Sequence, residues 1–317
     1  MTELVSFGES MLRYSPPGQT RLETTDTLDV RVAGAESNVA TAAARVGADA
    51  LWTSKLPASP LGRRVTSYLH SYGLETDVVW TEEGRQGTYY IEFAGEPRGT
   101  NVIYDRDGAA VTTATAEELP TERIRDAELF VTSGITPALS STLETTTSDL
   151  LWLANEAETR TVFDVNYRSK LWDPSTAREV IESLLPGIEV LVVAERDAAS
   201  VLEVEGEPRT VAESLASSWN CETVILTRGA EGAAAVHEGE YLEQEAFHSD
   251  TYDPIGTGDA FLGVLLGYRL TGHDMVEALE YGAAAAALKR TIPGDIAVIT
   301  REEVEAVVEA ETGGIDR

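Results

Sequence analysis

The chain has 317 residues, 54 Asp and Glu against 24 Lys and Arg, a net charge of −30 and a pI of about 4.4. No basic run exists that could neutralise phosphates or grip an anionic bilayer, so neither a nucleic-acid nor a membrane partner is expected. Apolar residues still make up 43% of the chain, enough for a sizeable core, so the acidity does not signal disorder.

Residues 4–7 predict a short apolar strand running into Gly8-Glu9. Residues 10–32 are polar, with Pro16-Pro17-Gly18 as turn signals. Gly34-Ala35-Glu36-Ser37-Asn38 opens an alanine-rich helix to about 46, with Gly47 as its stop. A strand near 50–55, a helix near 61–72 and a strand at 77–80 follow. This β-α-β-α-β alternation predicts a parallel sheet covered by helices. Residues 88–93 and 101–104 interrupt it, reading as a hairpin around Pro97-Arg98-Gly99 with one wet face. Such an insertion suits a lid or edge sheet. The alternation resumes with strands at 129–133, 161–166, 190–194 and 223–227, and helices at 143–158, 176–185 and 211–219. Residues 233–236 and 241–246 form a second hairpin turning at Glu238-Gly239, and helices near 257–270, 274–288 and 301–311 complete the chain. No composition break divides it. The expectation is one α/β domain over 1–317, with a β lid from about 10–33 and 86–110 inserted in the core.

The charge has its own logic. Lys55, Lys170 and Lys289 are the only lysines, and the other 21 basic residues are arginines. Self-repulsion destabilises so acidic a protein in dilute buffer. At about 1 M salt the Debye length is roughly 3 Å and the repulsion is screened. A salt-rich cytosol is therefore the expected setting. The N-terminus lacks the basic and apolar regions of a signal peptide, and Cys221 is the single cysteine, so a reducing cytoplasm fits. The four histidines form no spaced ligand set, and no protein-built metal site is expected.

Asp253-Pro254-Ile255-Gly256-Thr257-Gly258-Asp259-Ala260-Phe261 is the most informative stretch. It is a glycine-containing turn leading into a helix. Glycines let backbone N–H groups approach an anion, and a helix N-terminus adds positive potential. Asp259 would sit in the first helical turn. Spacing alone leaves two roles open for it: a first-turn carboxylate, or a general base that takes a proton from an attacking hydroxyl. No Gly-Lys-Ser/Thr follows, so this is not a Walker A loop.

Asp253-x-x-Gly256-x-Gly258-Asp259 resembles the C-terminal signature of the ribokinase-like (PfkB) carbohydrate kinases. Gly34-Ala35-Glu36-Ser37-Asn38-Val39-Ala40 resembles the family's N-terminal glycine motif, and Thr227-Arg228-Gly229-Ala230-Glu231-Gly232 its nucleotide-side turn. The resemblance covers nearly the whole chain, with the motifs in order. It implies a three-layer α/β/α core, a central mostly parallel sheet and a small β-sheet lid. Further stretches look like 2-keto-3-deoxygluconate kinases, among them Val102-Ile103-Tyr104-Asp105-Arg106, Ser133-Gly134-Ile135-Thr136-Pro137, Asp164-Val165-Asn166-Tyr167-Arg168 and Thr291-Ile292-Pro293-Gly294-Asp295. Ala33 replaces a usual glycine, and Thr257 a usual small residue.

What the resemblance implies is ATP- and Mg²⁺-dependent phosphorylation of 2-keto-3-deoxy-D-gluconate to its 6-phosphate in Entner–Doudoroff-type sugar breakdown, by a homo-oligomer. The alternatives are a fructokinase or other ribokinase-type sugar kinase, or a kinase of the galactonate-derived epimer. Asp259 would be the base, and Gly256, Thr257 and Gly258 the anion hole. Gly34, Tyr89, Tyr104, Arg106, Ile135, Arg168 and Asp295 would meet the sugar acid, with the arginine forks suited to a carboxylate. Asn166, Glu195, Thr227 and Gly229 would lie on the ATP side.

Overall fold

The structure, a computed structural model, describes residues 2–93 and 97–312. Met1, 94–96 and 313–317, which belong to the expected 1–317 domain and 86–110 segment, lie outside the described residues. In chain order the elements are β1 (Leu4–Phe7), β2 (Met11–Ser15), β3 (Asp29–Ala33), α1 (Ala35–Arg45), β4 (Ala50–Pro57), α2 (Pro60–His70), β5 (Glu75–Thr81), β6 (Thr88–Phe93) and β7 (Thr100–Asp105). Then come α3 (Thr121–Arg125), β8 (Leu129–Ser133), α4 (Ser141–Glu156), β9 (Arg160–Asp164), α5 (Pro174–Leu184), β10 (Val190–Ala194), α6 (Glu195–Ser200) and α7 (Pro208–Trp219). The chain continues through β11 (Thr223–Thr227), β12 (Ala233–His237), β13 (Glu240–Gln244), α8 (Thr257–Leu270), α9 (Met275–Arg290) and α10 (Arg301–Thr312).

Nine strands form one sheet in the order β13-β12-β11-β10-β9-β8-β1-β4-β5. All its pairs are parallel except those made by β12 with β11 and β13. Its strands are apolar on both sides because both faces are covered. Val190 and Val192 join a core with α1, α2, α8 and α9. Leu191 and Val193 join another with α4, α5, α6 and α7. The result is a three-layer α/β/α sandwich, as the alternation predicts.

Strand order reverses beside β1, which pairs with β4 on one side and β8 on the other. Connections leaving the carboxyl ends diverge there and open a crevice. A separate four-stranded sheet is ordered β3-β2-β6-β7. Its strands come from the two segments expected to form the lid, β2 and β3 from 10–33 and β6 and β7 from 86–110, but the sequence reading delimits no strand within 10–33, and β6 pairs in parallel with β2. The cause is Arg13: a charge in mid-strand reads as solvent-facing, yet this side chain is 2% exposed. Helices α3 and α6, at five and six residues, are too short to show a period.

One helix crossing fixes the site. A Cβ on Gly263 of α8 would lie 2.2 Å from the Val39 carbonyl oxygen of α1, and one on Gly267 would lie 2.6 Å from Val46. Only glycine at these positions lets the two backbones touch. That contact brings the first turns of α1 and α8 side by side.

Candidate active site

Two cavities meet at the carboxyl ends of the parallel strands. The first, of about 510 Å³, lies against the small sheet and is lined by Gly34, Tyr89, Tyr104, Arg106, Ile135, Asn166, Arg168, Gly256, Asp259 and Asp295. The second, of about 610 Å³, is lined by Glu195, Gly229, Phe247, Ala283 and Ala287. Ala194, Arg196, Thr227, Pro254, Thr257 and Gly258 line both. Every residue singled out from the sequence therefore borders one cavity or the other. Asn166, expected on the nucleotide side, lines the first cavity with Asp164, whose carboxylate accepts from its backbone and side-chain N–H groups at 3.2 and 3.1 Å.

The turn before α8 sits on the shared wall. Gly256 has φ +80°, and a Cβ there would lie 2.0 Å from the Asp295 carbonyl oxygen, so the position demands glycine twice over. The first i→i−4 bond of the helix runs from the Ala260 N–H to the Gly256 carbonyl at 2.9 Å. The Gly258 and Asp259 amides precede it and belong to the unpaired first turn. With the dipole of a 14-residue helix behind them, their N–H groups give the turn the chemistry of an anion cradle.

Asp259 is held from α1: the Asn38 side-chain amide donates to its Oδ2 at 2.7 Å. Burial pushes the Asp259 carboxyl up to about 6, opposed by the Asn38 bond and by Arg168 and Lys289, and reinforced by Asp295. Asp259 thus lies in the turn itself, with its carboxyl raised toward neutrality by burial. Two neighbours are also shifted. Burial, and then the Asp259 charge, push Asp164 up to about 7. Burial pushes Glu36 up to about 7, although Ser133 and Thr136 hydroxyls donate to it at 2.6 and 2.8 Å.

Two expected residues have unexpected partners. Arg106 pairs with neither adjacent aspartate. Its guanidinium lies over the Tyr104 ring, 4.6 Å from the centroid, and donates to buried Glu9 at 2.8 Å. Asp105 is taken instead by Arg85. Asp295 is 5% exposed, and its oxygens accept from Arg13 at 2.5 Å and from the Tyr89 hydroxyl at 2.6 Å. Arg13 also pairs with buried Asp253 at 2.8 Å. Asp295 and Tyr89 thus form part of a buried tie between β2, β6 and the turn before α8.

Glu9, Arg13, Glu36, Asn38, Asp164 and Asp197 escape the sequence reading as site residues. Gly8 carries a signal for Glu36, since a Cβ there would overlap the Glu36 carboxyl at 2.1 Å. Spacing of histidines likewise misses one grouping: the register of β11 with β12 brings His237 beside Glu222 and Glu238, their ligand atoms all within 4.8 Å. Glu222 is paired with Arg160, and the three residues border neither cavity.

A sandwich with paired cavities at its strand ends, joined by a glycine turn and a poised carboxylate, defines a phosphotransferase scaffold. The chain belongs to the pfkB family carbohydrate kinases, whose profile matches residues 1–301. It is 56% identical over 315 residues to a 2-dehydro-3-deoxygalactonokinase of Haloferax volcanii, covering 99% of both chains. It is 28% identical over 299 residues to a 2-dehydro-3-deoxygluconokinase of Thermoproteus tenax, covering 93% of this chain and 90% of the other. The crystal structure of the Thermotoga maritima 2-dehydro-3-deoxygluconokinase superposes with a TM-score of 0.91 at 34% identity, covering 97% of this chain and 98% of that one.

Proposed function

We propose that this carbohydrate kinase transfers the γ-phosphoryl group of ATP to the terminal hydroxyl of a 2-keto-3-deoxy sugar acid, in Entner–Doudoroff-type breakdown. The carrying observation is the place of Asp259, in the first turn of α8 on the wall where the cavities join. The first cavity takes the sugar acid. Arg106 and Arg168 line it and offer guanidinium forks to a carboxylate, which a neutral hexose lacks. The second takes the nucleotide, whose phosphates would be screened by Mg²⁺. Asp164 and Asp197, which line the first cavity, carry the hard oxygen donors that suit this ion, directly or through water.

Asp259 accepts the hydroxyl proton as the oxygen attacks in line. The 256–258 turn and the α8 dipole offset the charge that spreads over the transferring group. The small sheet acts as a lid that excludes water. The acidic surface is an adaptation to salt, and Arg106 and Arg168 supply positive charge to an anionic substrate in a cavity whose other charged residues are mostly carboxylates.

The 56% identity to the Haloferax enzyme supports the galactonate-derived epimer as first substrate. The gluconate-derived epimer is the second reading, supported by the 34% identity to the Thermotoga enzyme. The test is ADP release with Mg-ATP in high KCl, using both epimers, fructose and ribose. Turnover confined to the neutral sugars would refute the acid-sugar reading.

A further inference from the structure

We propose that the buried Lys289 ammonium is the internal cation that holds the phosphate-cradling turn in its working shape, making Lys289 a positioning residue for phosphoryl transfer. The inference rests on reading the 256–259 turn as the phosphate cradle.

Lys289 stands in the last turn of α9 and is 0% exposed. It borders neither cavity, so it touches no substrate. Its Nζ donates to the Asp253 carbonyl at 3.2 Å and the Ile292 carbonyl at 3.0 Å. Among the described residues it forms no ion pair at salt-bridge distance. These two carbonyls belong to the two segments that shape the cradle. Asp253 opens the turn into α8. Ile292 opens the segment ending at Asp295, whose carbonyl underlies Gly256.

The same two segments are bridged a second time. The Gly294 N–H donates to the Asp253 carboxylate at 2.8 Å, and Arg13 spans Asp253 and Asp295. Two buried cations therefore serve one junction. Arg13 neutralises its carboxylates, and Lys289 gathers its carbonyls. Burial lowers the Lys289 pKa and Arg13 adds to that, while Asp253, Asp295 and Asp259 oppose it without reversing the direction.

Composition sharpens the point. Basic residues in this chain are arginine at 21 of 24 positions, yet the fully buried place here keeps a lysine. A compact point charge can sit among carbonyls where a planar fork cannot. Remove it, and the Asp253 and Ile292 oxygens lose the donor that joins them, so that nothing at this point holds the two segments together. Gly256 and the amides after it then lose their seat.

The experiment compares Lys289→Ala, Lys289→Met and the wild type at fixed ionic strength in tetramethylammonium chloride, replaced stepwise by ammonium chloride. For Lys289→Ala we expect kcat to fall about 100-fold, the loss typical of a displaced oxyanion donor, with KM for the sugar held within about twofold. Ammonium should then recover at least about tenfold in kcat by entering the vacated space. Lys289→Met fills that space and should not be rescued. A loss carried by KM, a kcat within about twofold of wild type, or no ammonium rescue in a variant with a native circular dichroism spectrum overturns the proposal.

Should Lys289→Ala not fold, the wild type answers. With three lysines, ¹⁵N-lysine labelling gives at most three ammonium signals, assigned by Lys55→Arg and Lys170→Arg. One should resist solvent exchange and shift on adding a non-hydrolysable ATP analogue with Mg²⁺. No protected, nucleotide-responsive ammonium signal would overturn the proposal. Failure of the substrate reading is distinguishable, because it appears in the wild type's choice of sugar and leaves these comparisons intact.

Discussion

Asn38 offers the sharpest handle on Asp259, the proposed base. Its side-chain amide donates to Asp259 Oδ2 at 2.7 Å and is the strongest of the influences that hold the carboxyl down against burial, leaving it at about 6. A hydrogen bond to a charged group contributes about 1.5–3 kcal/mol. At 1.36 kcal/mol per pH unit, its removal should carry the titration upward by about one to two pH units. The perturbation is Asn38→Ala, and the assay is kcat/KM from about pH 5 to 9 at constant KCl. Only ionised Asp259 accepts the proton, so the wild-type rate should rise with pH through about 6 and level off. In Asn38→Ala the rising limb should move alkaline, giving about a 5- to 50-fold deficit at pH 6 that shrinks toward pH 9. Asp164 and Glu36 titrate nearby, at about 7, so displacement of the limb assigns it. A limb that stays in place while the plateau falls would refute the reasoning.

Asp259→Asn should lower kcat by about 10²–10⁴-fold, the usual share of a general base, without loss of the thermal transition; near-wild-type turnover would refute the role. Arg106→Met strands the Glu9 carboxylate in a 4% exposed site, so unfolding in urea should show a loss of about 3–5 kcal/mol, partly returned by adding Glu9→Gln. Glu36 is raised from 4.5 to about 7, so the folded state holds the extra proton between those values. Its stabilising protonation is present below that window and lost as pH rises through about 7, so the urea midpoint should be higher at pH 5.5 than at pH 8, with a shallower slope in Glu36→Gln. Finally, a charge of −30 should make activity and the circular dichroism spectrum collapse between about 1 M and 0.1 M KCl, as the Debye length grows from roughly 3 to 10 Å.

The layered core was legible because strands buried on both faces are continuous aliphatic runs, such as Val190–Ala194. The 256–259 turn was legible because its glycines and helix start are local events. Its placement on the wall of two cavities was not, since that depends on Gly263 and Gly267 letting α8 touch α1. Several of the other failures share one cause. Arg13, Glu9, Glu36 and Asp253 are charged side chains that lie inside, each neutralised or bonded by a residue far along the chain. Charge in a sequence reads as surface, and in so acidic a chain the few buried carboxylates are lost among the many solvated ones.

The tie made by Arg13 and Tyr89 on Asp295 has a mechanical consequence. β2 and β6 are the two central strands of the small sheet, and both are bolted to the core through a buried charge. Swinging the whole sheet away would separate ions inside the protein, at several kcal/mol. β7 forms an edge and carries Tyr104, with Ile103 half exposed. The midline of the small sheet is therefore fixed to the core, and any movement that admits a sugar must leave those two strands seated, like the crown of a hat that stays stitched down.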